Sequence, residues 1–249
     1  MQYTKDNPLR CFFGFAGYDS QALAFERLKE ICPEFDYKIV GWSEIDPYAI
    51  KAHNALFPEA ADLNYGDICK INWDEVPDFD FMTYSSPCTD FSNAGKQAGG
   101  EEGSGTRSSL LWEVRKAVLA KRPKYLMMEN VKALVSNKFL PTFQRWEQEL
   151  ASYGYSNYCK VLNAKDYGIP QNRERIFVVS ILDEGRGFTF GDPFELKLRL
   201  KDMLEDKVDE KYYLDQAKVD KFVAGLDEEK KKLLEDAEGD DSGNVLADK

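Results

Sequence analysis

The chain lacks any apolar run approaching the ~20 residues that a membrane-spanning helix needs. Its first residues, Met1-Gln2-Tyr3-Thr4-Lys5-Asp6, carry no apolar signal core, so neither a membrane partner nor export is expected. Cysteine is sparse: Cys11, Cys32, Cys69, Cys88 and Cys159 are odd in number, scattered and never in a C-x-x-C pair. That pattern argues against a disulfide framework or a zinc cluster and for a reducing cytoplasm. The chain also has no G-x-G-x-x-G; the nearest stretch reads Phe12-x-Gly14-x-Ala16-Gly17. With His53 as the single histidine, an NAD-type dehydrogenase is disfavoured for want of a hydride-transfer acid, and His53 itself is expected to be structural or exposed. A basic surplus is missing as well, since the net charge is −11. The deficit is uneven: from Asp183 onward there are 12 basic and 20 acidic residues, or −8, leaving −3 for the first 182. The acidity belongs mostly to the tail, so whole-chain charge neither supports nor excludes a polyanionic ligand.

What is present, in 249 residues that are 43% hydrophobic, is an alternation of strand-like and helix-like segments around one sizeable core. Strands are expected at 10–15, 37–42, 79–84 and 125–128, with a hairpin-like pair at 158–162 and 176–181. Helices are expected from Ser20, capped by Asp19 or Ser20, and over 47–57, 110–121 and 142–153. Strands and helices at this spacing imply right-handed βαβ units and a largely parallel sheet with helices on both faces. Short helices at 196–204 and 219–222 are expected beyond Gly185-Arg186-Gly187. After Leu226 a charged run reads as a solvated helix fading into a loop. The chain is expected to be a fragment, cut before a second lobe closes.

Pro87-Cys88-Thr89-Asp90-Phe91-Ser92 is the most informative stretch. It follows the apolar run 79–84, so the thiol should emerge at a strand's carboxyl end, where open α/β sheets place their ligand crevice. A buried, inert cysteine is the commoner fate of the type. The turn after the first strand brings glycine backbone and a helix start to the same edge, which suits a ligand or only packing. Glu44, in Ser43-Glu44-Ile45-Asp46 after the second strand, can accept the hydroxyls of a ribose, while Asp46 suits a helix N-terminus equally well. Asp67, in Gly66-Asp67-Ile68, can accept from the exocyclic amine of an adenine. A ribose acid and an adenine acid without phosphate-binding basic residues nearby fit S-adenosylmethionine better than a dinucleotide. Glu129, in Glu129-Asn130-Val131, is expected at a strand end in the same crevice as Cys88, though a surface acid would read the same. Arg173 and Arg175, in Gln171-Asn172-Arg173-Glu174-Arg175, share a face in strand geometry. They suit phosphate or carbonyl oxygens, or an ordinary salt-bridged edge.

These pieces, together with Ser108-Ser109-Leu110-Leu111-Trp112-Glu113, occur in an order that resembles the DNA (cytosine-5) methyltransferases across about the first 180 residues. The resemblance implies a Rossmann-like S-adenosylmethionine-dependent methyltransferase sheet. It implies a catalytic domain over 1–185 and the beginning of a target-recognition region over 186–249. It implies that Cys88 adds to C6 of a flipped-out cytosine in double-stranded DNA, that Glu129 holds N3 and the exocyclic amine, and that Arg175, with Arg173, sits on the O2 side. Phe12, Gly14, Phe15, Gly17, Glu44, Ile45, Asp67, Ile68, Pro87 and Leu110 would line the cofactor pocket, the product being S-adenosylhomocysteine with no metal. A cytoplasmic monomer is expected, serving beside a cognate restriction endonuclease. The glycine-rich stretch 92–107 would close over the flipped base.

Departures from the family pattern are Ala16 in place of a glycine, Thr89 after the cysteine, and a missing Gly-Asn-Ser-Val element that Ser242-Gly243-Asn244-Val245 echoes only by chance. The alternatives are an RNA (tRNA) cytosine-5 methyltransferase of the same superfamily or a catalytically incomplete cofactor-binding fragment.

Overall fold

A computed structural model of the chain describes residues 2–88, 90–91, 98–182 and 187–226. Six strands form one sheet: β1 (Leu9–Gly14), β2 (Tyr37–Ser43), β3 (Phe81–Tyr84), β4 (Tyr125–Val131), β5 (Ser156–Asn163) and β6 (Glu174–Ile181), in the order β2-β1-β3-β4-β6-β5. Strands β2, β1, β3 and β4 are mutually parallel, and β6 runs antiparallel to β4. The largely parallel sheet expected from the alternation therefore holds for its first four strands. The expected hairpin-like pair supplies β5 and the reversed strand β6.

Strand alternation explains why helices cover both faces. In β1, Cys11 and Phe13 enter one apolar cluster and Phe12 enters the other. The first cluster receives Ala22 and Phe25 from α1 (Ser20–Ile31) and Ile50 from α2 (Pro47–Leu56). The second receives Val114, Ala117 and Val118 from α3 (Val114–Lys121), and Phe143, Trp146 and Leu150 from α4 (Leu140–Ser152). The result is the Rossmann-like α/β arrangement anticipated above. Between β1 and β2 the register slips after Cys11, so that Cys11 faces Ile39 and Phe12 faces Gly41. Gly41 is required there, because a Cβ on it would stand 2.8 Å from the rings of Phe12 and Tyr65.

Capping chemistry sets the helix starts. Asp19 accepts from the Ala22 N–H at 3.0 Å, and Asp46 accepts from Tyr48 and Ala49 before Pro47 opens α2. The helix expected over 110–121 begins instead as a 3₁₀ segment, Arg107–Glu113, and becomes α-helical only at Val114.

The chain divides into two units. The first comprises Met1–Leu162 with Glu174–Gly191, and the second Asn163–Arg173 with Asp192–Lys249. Within the second, Gly168 at φ +83 closes a 3₁₀ turn (Ala164–Tyr167), Tyr167 meets Phe194 edge-on, and the Phe194 N–H donates to Asp166. The helix expected over 196–204 is a single 3₁₀ turn, Leu200–Met203, and α5 spans Gln216–Ala224. Thr89, residues 92–97 of the expected closing loop, and the charged tail from Asp227 lie outside the described residues.

One polar clamp fastens the parallel core. Arg10 donates through Nε and Nη2 to both carboxylate oxygens of Asp80, each at 2.9 Å, and its backbone N–H donates to Oδ2 at 3.1 Å. The Asp80 N–H returns a bond to the Arg10 carbonyl. These hydrogen bonds from Arg10 hold the Asp80 carboxyl below its ordinary range. A lowered folded-state value stabilises above the unfolded value of about 4 and is lost as pH falls through the lowered one. Asp80→Asn is expected to cost about 1 kcal/mol in urea unfolding at pH 7, kept small by the half-exposed guanidinium. The difference from the parent should narrow by pH 3; a constant gap across that range would sink the assignment.

Candidate active site

Three loops build one side of the site: two follow the parallel strands β1 and β2, and the third links the 3₁₀ segments Pro58–Leu63 and Ile68–Lys70. The β1–α1 turn is wound left-handed at Phe15 (φ +54), Gly17 (φ +60) and Asp19 (φ +66), a conformation that costs about 1–2 kcal/mol for a residue with a Cβ. Cross-links from β2 hold it. The Ala16 N–H donates to the Ser43 carbonyl, and the Gly17 N–H donates to Glu44 Oε2 at 2.9 Å. Glu44 Oε1 accepts two further N–H groups, from Ile45 (2.7 Å) and Asp46 (2.9 Å).

The third connection is tied in by a residue the sequence reading passed over, Asn64. Its Oδ1 accepts from the Glu44 and Gly66 N–H groups, and its Nδ2 donates to the Glu44 carbonyl. The Ser43 hydroxyl adds a bond to the Gly66 carbonyl at 2.7 Å. Asp67 accepts from the Cys69 N–H and pairs with Lys70, and that N–H chiefly holds its carboxyl below the usual range. Phe12 and Ile68 are buried in the core and form the floor beneath these loops, with Ile68 close to Gly14. Ile45, by contrast, is largely exposed, and Leu110 is half-buried.

Beneath the first turn lies a buried pair, the α1 cap Asp19 and His53. Asp19 and His53 are fully enclosed, Asp19 Oδ2 stands 3.7 Å from His53 Nε2, and neither imidazole nitrogen has a hydrogen-bond partner. The imidazole stacks on Trp42 with centroids 3.7 Å apart. Burial raises the Asp19 carboxyl above its ordinary value. His53 is thus structural, of the two expectations, and lies in the last turn of α2.

The other side of the site is built where β3 and β4 end together. Tyr84 pairs with Met128, and Pro87 and Cys88, both half-buried, follow β3. The expected strand 125–128 continues to Val131, because β6 pairs with it as far as Val131 opposite Arg175. Alternation buries Met128 and Asn130 and turns Glu129 and Val131 the other way. Arg175, opposite Val131, therefore shares a face with Glu129, and its Nε forms an ion pair with Glu129 Oε1 at 3.1 Å. Asn130 donates from Nδ2 to the Ser86 carbonyl at 3.1 Å, tying the Glu129 strand to the chain just before Cys88. Asn130 lay within the quoted motif, yet nothing in the residues alone marked its side chain as the link. Arg173 precedes β6 and belongs to the second unit. Its N–H donates to Asn163 Oδ1 and its side chain is exposed.

The family model for C-5 cytosine-specific DNA methylases matches residues 14–237. The chain is 40% identical to the type II methyltransferase M2.ScrFI of Lactococcus lactis subsp. cremoris, covering 83% of this chain and 70% of that protein. It is 34% identical to the type II methyltransferase M.SsoII of Shigella sonnei, where 82% of the chain covers 52% of the relative, about half its length. Among solved structures, the S. pombe Dnmt2 methyltransferase superposes with a TM-score of 0.67 over 88% of this chain and 68% of that one, at 20% identity, a likeness of fold. By the family match and these relatives, the chain belongs to the C-5 cytosine-specific DNA methylases, S-adenosylmethionine-dependent enzymes.

Proposed function

We propose that the protein transfers a methyl group to C5 of a flipped-out cytosine in double-stranded DNA, with Cys88 as the covalent nucleophile. The observation that carries this reading is the convergence of Pro87-Cys88 and the Glu129–Arg175 pair at adjoining strand ends, bridged by Asn130. C5 of cytosine is a poor nucleophile. Addition of the Cys88 thiolate to C6 makes the ring an enamine, and Glu129 at N3 and the exocyclic amine offsets the charge that develops. Once C5 carries the methyl, loss of its proton to solvent with elimination of the Cys88–C6 bond restores the aromatic ring and the thiolate. Arg175 serves the O2 side, with Arg173 assigned to the same task on its motif position alone. A duplex base must leave the stack to reach these groups.

The residues present fit S-adenosylmethionine, which supplies an electrophilic sulfonium methyl when bound. Gly17 and Gly66, both at positive φ, have nothing within 4 Å of where a Cβ would stand, leaving open space over bare backbone. Glu44 Oε2 takes a single N–H and can accept a ribose hydroxyl as well. Asp67 would accept from the exocyclic amine of the adenine, and exposed Ile45 would pack on its ring. Phe12, Gly14, Phe15, Ile68, Pro87 and Leu110 shape the remaining walls. We assign residues 1–185 as the catalytic domain and 186–249 as the beginning of the target-recognition region. A cytoplasmic monomer paired with a restriction endonuclease completes the reading, supported by five cysteines that form no disulfide among the described residues and by the type II names of the relatives.

The test is a trap. The full-length protein incubated with S-adenosylmethionine and a duplex bearing 5-fluorocytosine should form a complex stable to denaturation, with the adduct mapping to Cys88. Transfer to tRNA but not to duplex DNA would overturn the substrate assignment, and an adduct on another cysteine would overturn the nucleophile.

A further inference from the structure

The fold delivers Cys88 on a connection rather than on a strand, so something must hold the thiol's backbone still. Ser108 is the residue in contact with that backbone on both sides. It is fully buried in the 3₁₀ segment Arg107–Glu113. Its hydroxyl donates to the Pro87 carbonyl at 2.8 Å and accepts the Asp90 N–H at 3.2 Å, while its own N–H donates to Asp90 Oδ2 at 3.1 Å. A second bond, from Phe91 N–H to the Cys88 carbonyl, folds the chain into a turn at the thiol.

Ser108 is itself set in a rigid bed. The Gly99 N–H donates to the Asp90 carbonyl, and the Thr106 hydroxyl donates to the Gly99 carbonyl. A Cβ on Gly100 would stand 2.4 Å from Phe91 and 2.9 Å from the Ser108 carbonyl oxygen, so these segments are in closest packing. Trp112 Nε1 donates to the Gly100 carbonyl at 2.8 Å. The Trp112 ring lies beneath the guanidiniums of Arg115 and Arg145, both of which pair with Glu102. The platform thus reaches from α3 and α4 to the residues flanking Cys88.

We infer that Ser108 is a positioning residue for the nucleophile, its hydroxyl clamping Pro87 and Asp90 so that the thiol between them meets C6 in line. A serine hydroxyl has one proton to give and lone pairs to accept with, and here both capacities act on the one connection. No apolar residue of similar size can do both. The inference rests on the reading of Cys88 as the nucleophile. Because a displacement near 1 Å at a reacting centre can cost about 100-fold, loss of the clamp should appear in the covalent step and not in cofactor affinity.

The experiment compares Ser108→Ala, Ser109→Ala and Cys88→Ser with the parent. Among the described residues the Ser109 hydroxyl bonds locally, to the Thr106 carbonyl, so Ser109→Ala controls for loss of a neighbouring hydroxyl. Adduct formation with 5-fluorocytosine DNA is timed under single-turnover conditions, with rates counted per S-adenosylmethionine-binding site. Ser108→Ala is expected to slow the adduct about 10- to 100-fold with cofactor Kd within twofold, and Ser109→Ala to stay within threefold of the parent. A parent-like rate in Ser108→Ala, or an equal loss in both serine variants, overturns the inference. Should Ser108→Ala not fold, Ser108→Cys keeps a weak donor and acceptor in place. An intermediate slowing then supports the clamp, and a parent rate refutes it. An adduct in Cys88→Ser would instead overturn the underlying mechanism, so the two failures are distinguishable.

Discussion

Cys88→Ser is expected to lower methyl transfer by on the order of 10⁴-fold or more, the scale seen when a covalent nucleophile is removed. Addition to C6 requires an anion. An ordinary thiol titrates near 8.5 and is a few per cent thiolate at neutral pH, with high intrinsic nucleophilicity, whereas a serine hydroxyl needs a base to act at all. Of the three charged side chains assigned to the base, Glu129 and Arg175 are already paired with each other. The substitution should leave the fold alone, because the local hydrogen bonds run through the Pro87 carbonyl, the Cys88 carbonyl and Asp90, not through the sulfur. S-adenosylmethionine affinity by calorimetry is therefore expected to match the parent while turnover vanishes. Undiminished turnover would remove the thiol from the mechanism.

Glu129→Gln is the second large effect, an expected loss of roughly 10²–10⁴-fold in kcat with a similar loss in kcat/KM. The amide keeps the shape but cannot supply a proton or full negative charge at N3, and it releases the Arg175 guanidinium from a 3.1 Å ion pair. Both partners of that pair remain partly exposed, so the stability change should stay below about 1 kcal/mol. Single-turnover methylation beside thermal unfolding separates the two. A rate within threefold of the parent, or a rate loss that only follows unfolding, would sink the role.

Much of the fold was legible because its signals are local. Apolar runs bounded by turns marked all six strands, and Asp19 and Asp46 announced the starts of α1 and α2 through side chains that cap them. What escaped depended on partners far along the chain. The extension of β4 to Val131 is a consequence of β6 lying beside it, and the 3₁₀ start before α3 accompanies Ser108's reach back to Pro87 and Asp90. The expected share of a face between Arg173 and Arg175 required β6 to begin earlier than Glu174, and Arg173 instead turns with Asn163.

The site divides in the same way. Chemically distinctive residues such as Cys88, Glu44 and Glu129 could be singled out by type and position. Asn64, Asn130 and Ser108 act through side-chain bonds to backbone 18 to 44 residues away, and no periodicity records such a bond.

The enclosed imidazole on Trp42 gives the molecule a natural spectroscopic handle. With a single histidine in the chain, its ring C–H protons give one set of histidine signals in a proton NMR spectrum, and an indole face 3.7 Å away displaces them from the random-coil position. Because that ring abuts the residue that starts α1 and belongs to the helix that follows Glu44, one resolved resonance watches both loops as the pocket fills, with no label introduced.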